Sequence, residues 1–150
     1  FGISKKSKNI YSNSDMTMRG TVFWMAPEMV DTKQGYSAKV DIWSLGCVVL
    51  EMFAGKRPWS NLEVVAAMFQ IGKSKSAPPI PDDTIQLISS KGKDFLSKCF
   101  EIDPEKRPTA DDLLEHSFSK VDPAFNFSRT RLYEFIKTND KLNSSVLRNT

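Results

Sequence analysis

Cysteine is scarce in this chain: Cys47 and Cys99 are the only two, and they have neither the spacing of a metal knuckle nor the pairing of a disulfide framework. Both fall inside apolar stretches of helical pattern, which points to a reducing, intracellular setting and a cytoplasmic protein. Histidine is scarcer still. His116 stands without partner side chains and reads as the end of a helix, not as a metal ligand or proton shuttle. Long apolar runs are missing too: the longest, residues 46–54, is broken by Glu51 and falls far short of the roughly 18 residues that span a bilayer. No membrane insertion is expected. Neither sign of charge dominates, because 21 basic and 18 acidic residues are mixed along the chain and leave only +3, which argues against a dedicated nucleic-acid binder. Strand-type alternation and internal repeats are absent. The chain opens on Phe1 with no charged stretch leading into an apolar run, which predicts a true start further upstream. What is present is a hydrophobic fraction of 40% over 150 residues, enough for a helical core.

That core is written mainly in helical pattern, so the expected fold is mainly α. Residues 4–15 offer only Ile10 and Tyr11 for burial and read as a mobile loop. Residues 39–53 place apolar side chains around nearly the whole circumference of a helix, which predicts a rod buried at the centre of its domain. Asp41 in its first turn opposes the positive end of the helix dipole, and Gly55 stands where a left-handed stop belongs. Ser60 and Glu63, in capping-box spacing, predict a second, amphipathic helix with Leu62, Val65, Met68 and Phe69 along its inner stripe. Residues 74–89, with Pro78, Pro79 and Pro81, read as a loop. A third helix is predicted over 91–101, closed by Pro104. A fourth is capped by Thr109, with Leu113 and Leu114 facing inward. Beyond Phe118, the spacing of Leu132, Phe135 and Ile136 predicts one further helix, and residues 141–150 are expected to fray.

Several short motifs then occur in one order: Phe1-Gly2, Gly20-Thr21, Trp24-Met25-Ala26-Pro27-Glu28, Asp41-Ile42-Trp43-Ser44-Leu45-Gly46 and Asp103-Pro104-Glu105-Lys106-Arg107-Pro108-Thr109. Singly they are weak, but in this order and spacing they resemble the protein kinase family over residues 1–118, with residues 119–150 as a C-terminal extension. The resemblance implies the helical C-terminal lobe of the protein-kinase α+β fold, beginning inside the activation segment, with the N-terminal lobe and catalytic loop missing. It further implies that Glu28 and Arg107 form a buried ion bridge, and that Asp41 braces the catalytic loop. A plain dipole-capping Asp is the compatible local reading. Thr21, after Gly20, matches the threonine that sits beside the catalytic aspartate and lysine in Ser/Thr kinases, with a turn threonine as the alternative. Trp24 and its neighbours would form the pocket for the residue following the acceptor, or Trp24 would simply pack in the core. Thr17 matches the position of the activating phosphate, with Ser14, Ser12 and Thr21 as rival acceptors and an unmodified solvated loop as the bland reading. Lys5, Lys6 and Lys8 read as a solvated face that could also meet a phosphate.

Within that family, Trp-Met-Ala-Pro-Glu and Gly55-Lys56-Arg57-Pro58-Trp59-Ser60 are similar to the MAP kinase kinase kinases. Many relatives carry Pro-Tyr where this chain has Val22-Phe23. This pair, the loop at 74–81 and the tail from Thr130 to Arg148 narrow the resemblance to fungal kinases of the cell-wall-integrity pathway. The resemblance implies a parent enzyme that uses ATP and Mg2+ to phosphorylate serine or threonine in a MAP kinase kinase, under an upstream activator that the residues do not identify. The lysine, catalytic Asp, Asn and metal-binding Asp of phosphoryl transfer would all lie upstream of Phe1. No catalytic or metal-binding residue is therefore expected in residues 1–150, neither ATP nor Mg2+ is expected to bind this stretch alone, and it is expected to be inactive in isolation. The rival reading is a pseudokinase or docking lobe that holds partners without catalysis.

Overall fold

Helix α1 (Lys39–Ala54) carries the densest apolar pattern in the chain, and the rest of the main unit is arranged around it. The structure, a computed structural model, describes residues 22–30, 35–74 and 76–146. They divide between Ser119 and Lys120 into two compact units. Among the described residues there are helices and turns and no strand. In chain order the first unit has 3-10 turns at Val22–Trp24 and Pro27–Met29, then α1, α2 (Val64–Ser74), α3 (Asp82–Ile85), α4 (Ser90–Cys99) and α5 (Ala110–Glu115). The second unit holds a 3-10 turn at Phe127–Arg129 and α6 (Arg131–Val146), opened by Thr130, whose hydroxyl accepts from the Tyr133 N–H at 3.2 Å.

Helix α1 stops where its sequence says it should. Gly55 takes a left-handed conformation (φ 64°) and its N–H donates to the Glu51 carbonyl, closing the last turn with a residue that has no Cβ to clash. On the inward sides of α1, Val40, Trp43, Cys47 and Leu50 pack with Ala26, Ile88, Leu96 and Phe100. Ile42 joins Phe95, Cys99 and Leu113 in a neighbouring cluster. The expectation of a rod buried all round is corrected here. Asp41, Leu45, Val48 and Met52 recur at helical spacing and form an exposed stripe, with Met52 78% exposed. The described elements that pack on α1 cover only its other sides.

Helices α1 and α4 approach closely at Gly46. A Cβ built there would stand 2.6 Å from the Cys99 Cβ and 2.9 Å from the Phe100 ring, and neither group is the free end of a flexible chain. The variant Gly46→Val adds this clash without the helix-propensity gain of alanine, and is expected to destabilise the complete kinase domain by about 1–3 kcal/mol. An unchanged urea midpoint would show that the two helices can part at no cost. Burial at the same contact pushes both thiols up, Cys99 to about 12 and Cys47 further, so neither is a nucleophile.

The other helices correct the sequence reading in phase and ends. Helix α2 begins at Val64, with Ala67 donating to the Glu63 carbonyl, while Ser60 lies in the preceding turn and does not cap it. Its inner face is Val64, Ala67, Met68 and Ile71, and the expected Val65 and Phe69 point outward. Within the expected loop at 74–89, Pro81 precedes the short helix α3, whose first turn carries Asp82 and Asp83. Helix α4 is capped by Ser89, whose hydroxyl accepts from the Gly92 N–H at 3.1 Å. Helix α5 has a reciprocal capping box between Thr109 and Asp112, and these hydrogen bonds hold the Asp112 carboxyl below the usual range. Leu113 is buried there, whereas Leu114 faces out, because one turn and a half of helix has room for a single inward leucine. Helix α6 runs from Arg131 to Val146, and residues 147–150 lie outside the described residues.

Candidate functional site

Arg107 is presented by a turn that its own motif builds. The Asp103 carboxylate accepts the Glu105 N–H at 3.1 Å and lies 3.2 Å from Lys106 Nζ, which together hold its carboxyl below the usual range. The Asp103 carbonyl accepts from the N–H groups of both Lys106 and Arg107 at 3.0 Å. Pro108 then sends the chain into the Thr109 cap, and the guanidinium is directed inward, where its side chain is fully buried.

A buried guanidinium needs hydrogen-bond partners on each of its nitrogens to offset its desolvation. Arg107 Nη1 donates to Glu28 Oε1 at 2.7 Å and Nη2 to Glu28 Oε2 at 3.1 Å, a forked, two-point pair. Nη1 also donates to the Lys39 carbonyl at 2.8 Å and Nε to the Glu101 carbonyl at 2.9 Å. In return, Lys39 Nζ donates to the Arg107 carbonyl. The guanidinium carbon lies 5.2 Å from the centre of the Trp43 ring, the largest fully buried side chain of α1. One side chain therefore joins three separate stretches: the Pro27–Met29 turn through Glu28, the start of α1 through Lys39, and the loop after α4 through Glu101.

The segment ahead of Glu28 is laid along the same helix. Ala26 is fully buried and Pro27 buried. Trp24 is half-buried between two apolar clusters, its indole N–H donates to Glu51 Oε2 at 3.0 Å, and its carbonyl accepts the Ser44 hydroxyl at 2.9 Å. Glu51 and Ser44 were not among the sequence candidates. A signal for Glu51 was present, since a carboxylate interrupting the apolar run at 46–54 needs a buried donor to answer it. Asp41 stands exposed on the first turn of α1, and among the described residues nothing bonds its carboxylate. The remaining sequence candidates, Phe1, Gly2, Ser14, Thr17, Gly20 and Thr21, lie outside the described residues, as do Ser12, the lysines at 5, 6 and 8 and the expected loop at 4–15.

Among the described residues this arrangement fixes a peptide segment against the helices. His116 ends α5, where its Nδ1 accepts the Phe118 N–H at 3.1 Å and its Nε2 therefore carries the hydrogen shared with Asp94 at 2.8 Å. That bond is the main reason the Asp94 carboxyl lies below the usual range. Among the described residues no group of three or more His, Cys, Asp or Glu is placed to hold a metal ion.

The family model described as protein kinase domain matches residues 1–119. Over all of its 150 residues the chain is 81% identical to the Saccharomyces cerevisiae protein named serine/threonine-protein kinase BCK1/SLK1/SSP31, of which it spans 10%. It is 53% identical over 138 residues, 91% of the chain, to MAP kinase kinase kinase mkh1 of Schizosaccharomyces pombe, of which 12% is spanned. Over 113 residues, 75% of the chain, it is 49% identical to mitogen-activated protein kinase kinase kinase YODA of Arabidopsis thaliana, again spanning 12%. The chain thus spans about a tenth of the curated relatives it matches.

Proposed function

The chain belongs to the protein kinase family, and we propose that it forms the activation-segment and helical part of a serine/threonine kinase that phosphorylates a MAP kinase kinase. The observation that carries this reading is the forked Glu28–Arg107 bridge, which fastens the segment at 22–30 to the helix bundle at one end while Trp24 is held by Glu51 and Ser44 at the other. A segment fixed at both ends is a platform against which a polypeptide hydroxyl can be held in register, and positioning is most of what a kinase contributes to phosphoryl transfer. Gly20 and Thr21 would sit next to the accepting hydroxyl, and Trp24 with its neighbours would receive the residue that follows it. Asp41, with the exposed flank of α1, would brace the catalytic loop. Thr17, or Ser14 in its place, would take the activating phosphate.

ATP with Mg2+ supplies the phosphoryl group when bound, but the described residues contain no ligand set for the metal, and the reading assigns that part to a longer chain. Among the described residues no helix is long and apolar enough to cross a membrane, and a cytoplasmic location is part of the proposal. The narrower part of the proposal, a cascade that answers cell-wall stress, rests on the resemblance to the fungal kinases.

Phosphate transfer by the full-length protein tests the reading. Incubated with labelled ATP and an inactive MAP kinase kinase, it is expected to label serine or threonine of the substrate, and Thr17→Ala is expected to remove most of that activity while Ser14→Ala retains it. No transfer under any activating condition would favour a docking lobe instead. Loss with Ser14→Ala alone would move the phosphosite.

A further inference from the structure

Arg57, in the loop between α1 and α2, is not part of any site described above, yet its surroundings are highly organised. Its guanidinium is stacked on Phe23, 3.5 Å from the ring centre. Its Nη1 donates to the Trp59 carbonyl at 3.0 Å and its Nη2 to the Leu62 carbonyl at 3.1 Å, with the Pro58 carbonyl at 3.5 Å. Among the described residues no carboxylate lies within ion-pair distance of it. To turn these carbonyls toward one guanidinium the loop carries Trp59 in a left-handed conformation (φ 55°), unusual for a non-glycine residue. Trp59 is buried with Phe23, Val22, Met25, Ala67 and Ile71. The Phe23 ring in turn meets Trp24 edge-on, with centroids 6.1 Å apart.

We propose that Arg57 is a positioning residue for protein-substrate recognition: its flat cation clamps Phe23, and through Phe23 sets the Trp24 ring that faces the residue following the acceptor. The inference rests on the functional reading above. Arg57 is committed to its own loop by its forked donors, so it acts as a wedge between that loop and the turn Val22–Trp24, not as a ligand for the substrate. Lysine cannot replace arginine here, since a single ammonium cannot lie flat on the ring while reaching both the Trp59 and Leu62 carbonyls.

The test uses the full-length kinase with Arg57→Lys, Phe23→Leu and the double variant. Each single variant is expected to raise KM for the protein substrate by about tenfold, with KM for ATP close to wild type and a small fall in Tm, because the contact removed also joins the loop to the turn Val22–Trp24 in the free protein. Preference for the residue after the acceptor, read on a peptide library, is expected to flatten. The double variant is expected to be no worse than either single one, because both remove the same contact. A folded Arg57→Lys with wild-type KM and preference would overturn the proposal, as would effects of the two variants that multiply. Equal loss of kcat on every substrate, with KM and the preference for the following residue unchanged, would assign Arg57 to stability alone and overturn it as well. If Arg57→Lys fails to fold, Phe23→Leu carries the same readouts. Hydrogen exchange at the 22–25 amides separates this inference from the kinase reading. Exchange that quickens in Arg57→Lys at the 22–25 amides more than at the amides of α4 supports the clamp even in a protein that transfers no phosphate, and unchanged exchange at 22–25 contradicts it.

Discussion

Replacing Arg107 by alanine is expected to destabilise the complete kinase domain by about 3–5 kcal/mol, the usual cost of removing one partner from a buried ion pair. The loss has three parts. Glu28, 19% exposed, loses the forked partner at 2.7 and 3.1 Å. The Lys39 and Glu101 carbonyls lose a donor inside the fold. The guanidinium also leaves a gap beside Trp43. Arg107→Lys is expected to recover only part of this, because an ammonium cannot reproduce the fork. Urea unfolding of the two variants measures the effect, and because Glu28 fastens the segment at 22–30, substrate phosphorylation should fall with stability. A midpoint within error of wild type for Arg107→Ala would show that the bridge is an ornament of the surface.

The second large effect is expected at Trp43. Its side chain is fully buried, meets Phe100 edge-on at 5.1 Å between centroids and lies beneath the Arg107 guanidinium. Trp43→Ala removes those contacts and opens a cavity between α1, α4 and the arginine, for an expected loss of about 3–5 kcal/mol. Trp43→Phe is expected to cost clearly less. It keeps an aromatic face for the cation and removes an indole N–H for which the described residues offer no oxygen or nitrogen acceptor, only the weakly accepting sulfur of Cys47 one turn on. Equal losses for the two variants would mean that a phenyl ring recovers neither packing nor cation contact, and that the site depends on the whole indole.

How legible these features were depended on how locally each is determined. Gly55 and Thr109 were readable because a left-handed stop and a capping box are made by residues a few positions apart. The Glu28–Arg107 pair was implied only by resemblance, since nothing local says that residues so distant in sequence will meet. The phase of α2 was misjudged because every position from 64 to 69 is apolar, and the outcome was settled by contacts outside the helix. Ala67 and Ile71 fit beneath the turn Val22–Trp24, and Gly72 lets Val30 approach, with only 2.8 Å left for a Cβ. Ser60 and Glu63 had the spacing of a cap, but the left-handed Trp59 turns the chain first and leaves Glu63 to open the helix. The exposed stripe of α1 escaped for a related reason, since composition shows how much of a helix is apolar and not how many sides of it find cover. Helix α3 was hidden by the prolines around it, although Pro81 followed by two aspartates is itself a helix start.

The most direct measurement is a double-mutant cycle on the bridge: Glu28→Gln, Arg107→Met and the two together, by urea unfolding of the complete kinase domain. A platform fastened to α1 by this pair should show a coupling of about 2 kcal/mol or more, with the double variant well above the sum of the single losses in stability. Independent, additive losses would mean that the two groups do not hold each other, and that something other than this bridge keeps the segment at 22–30 in place.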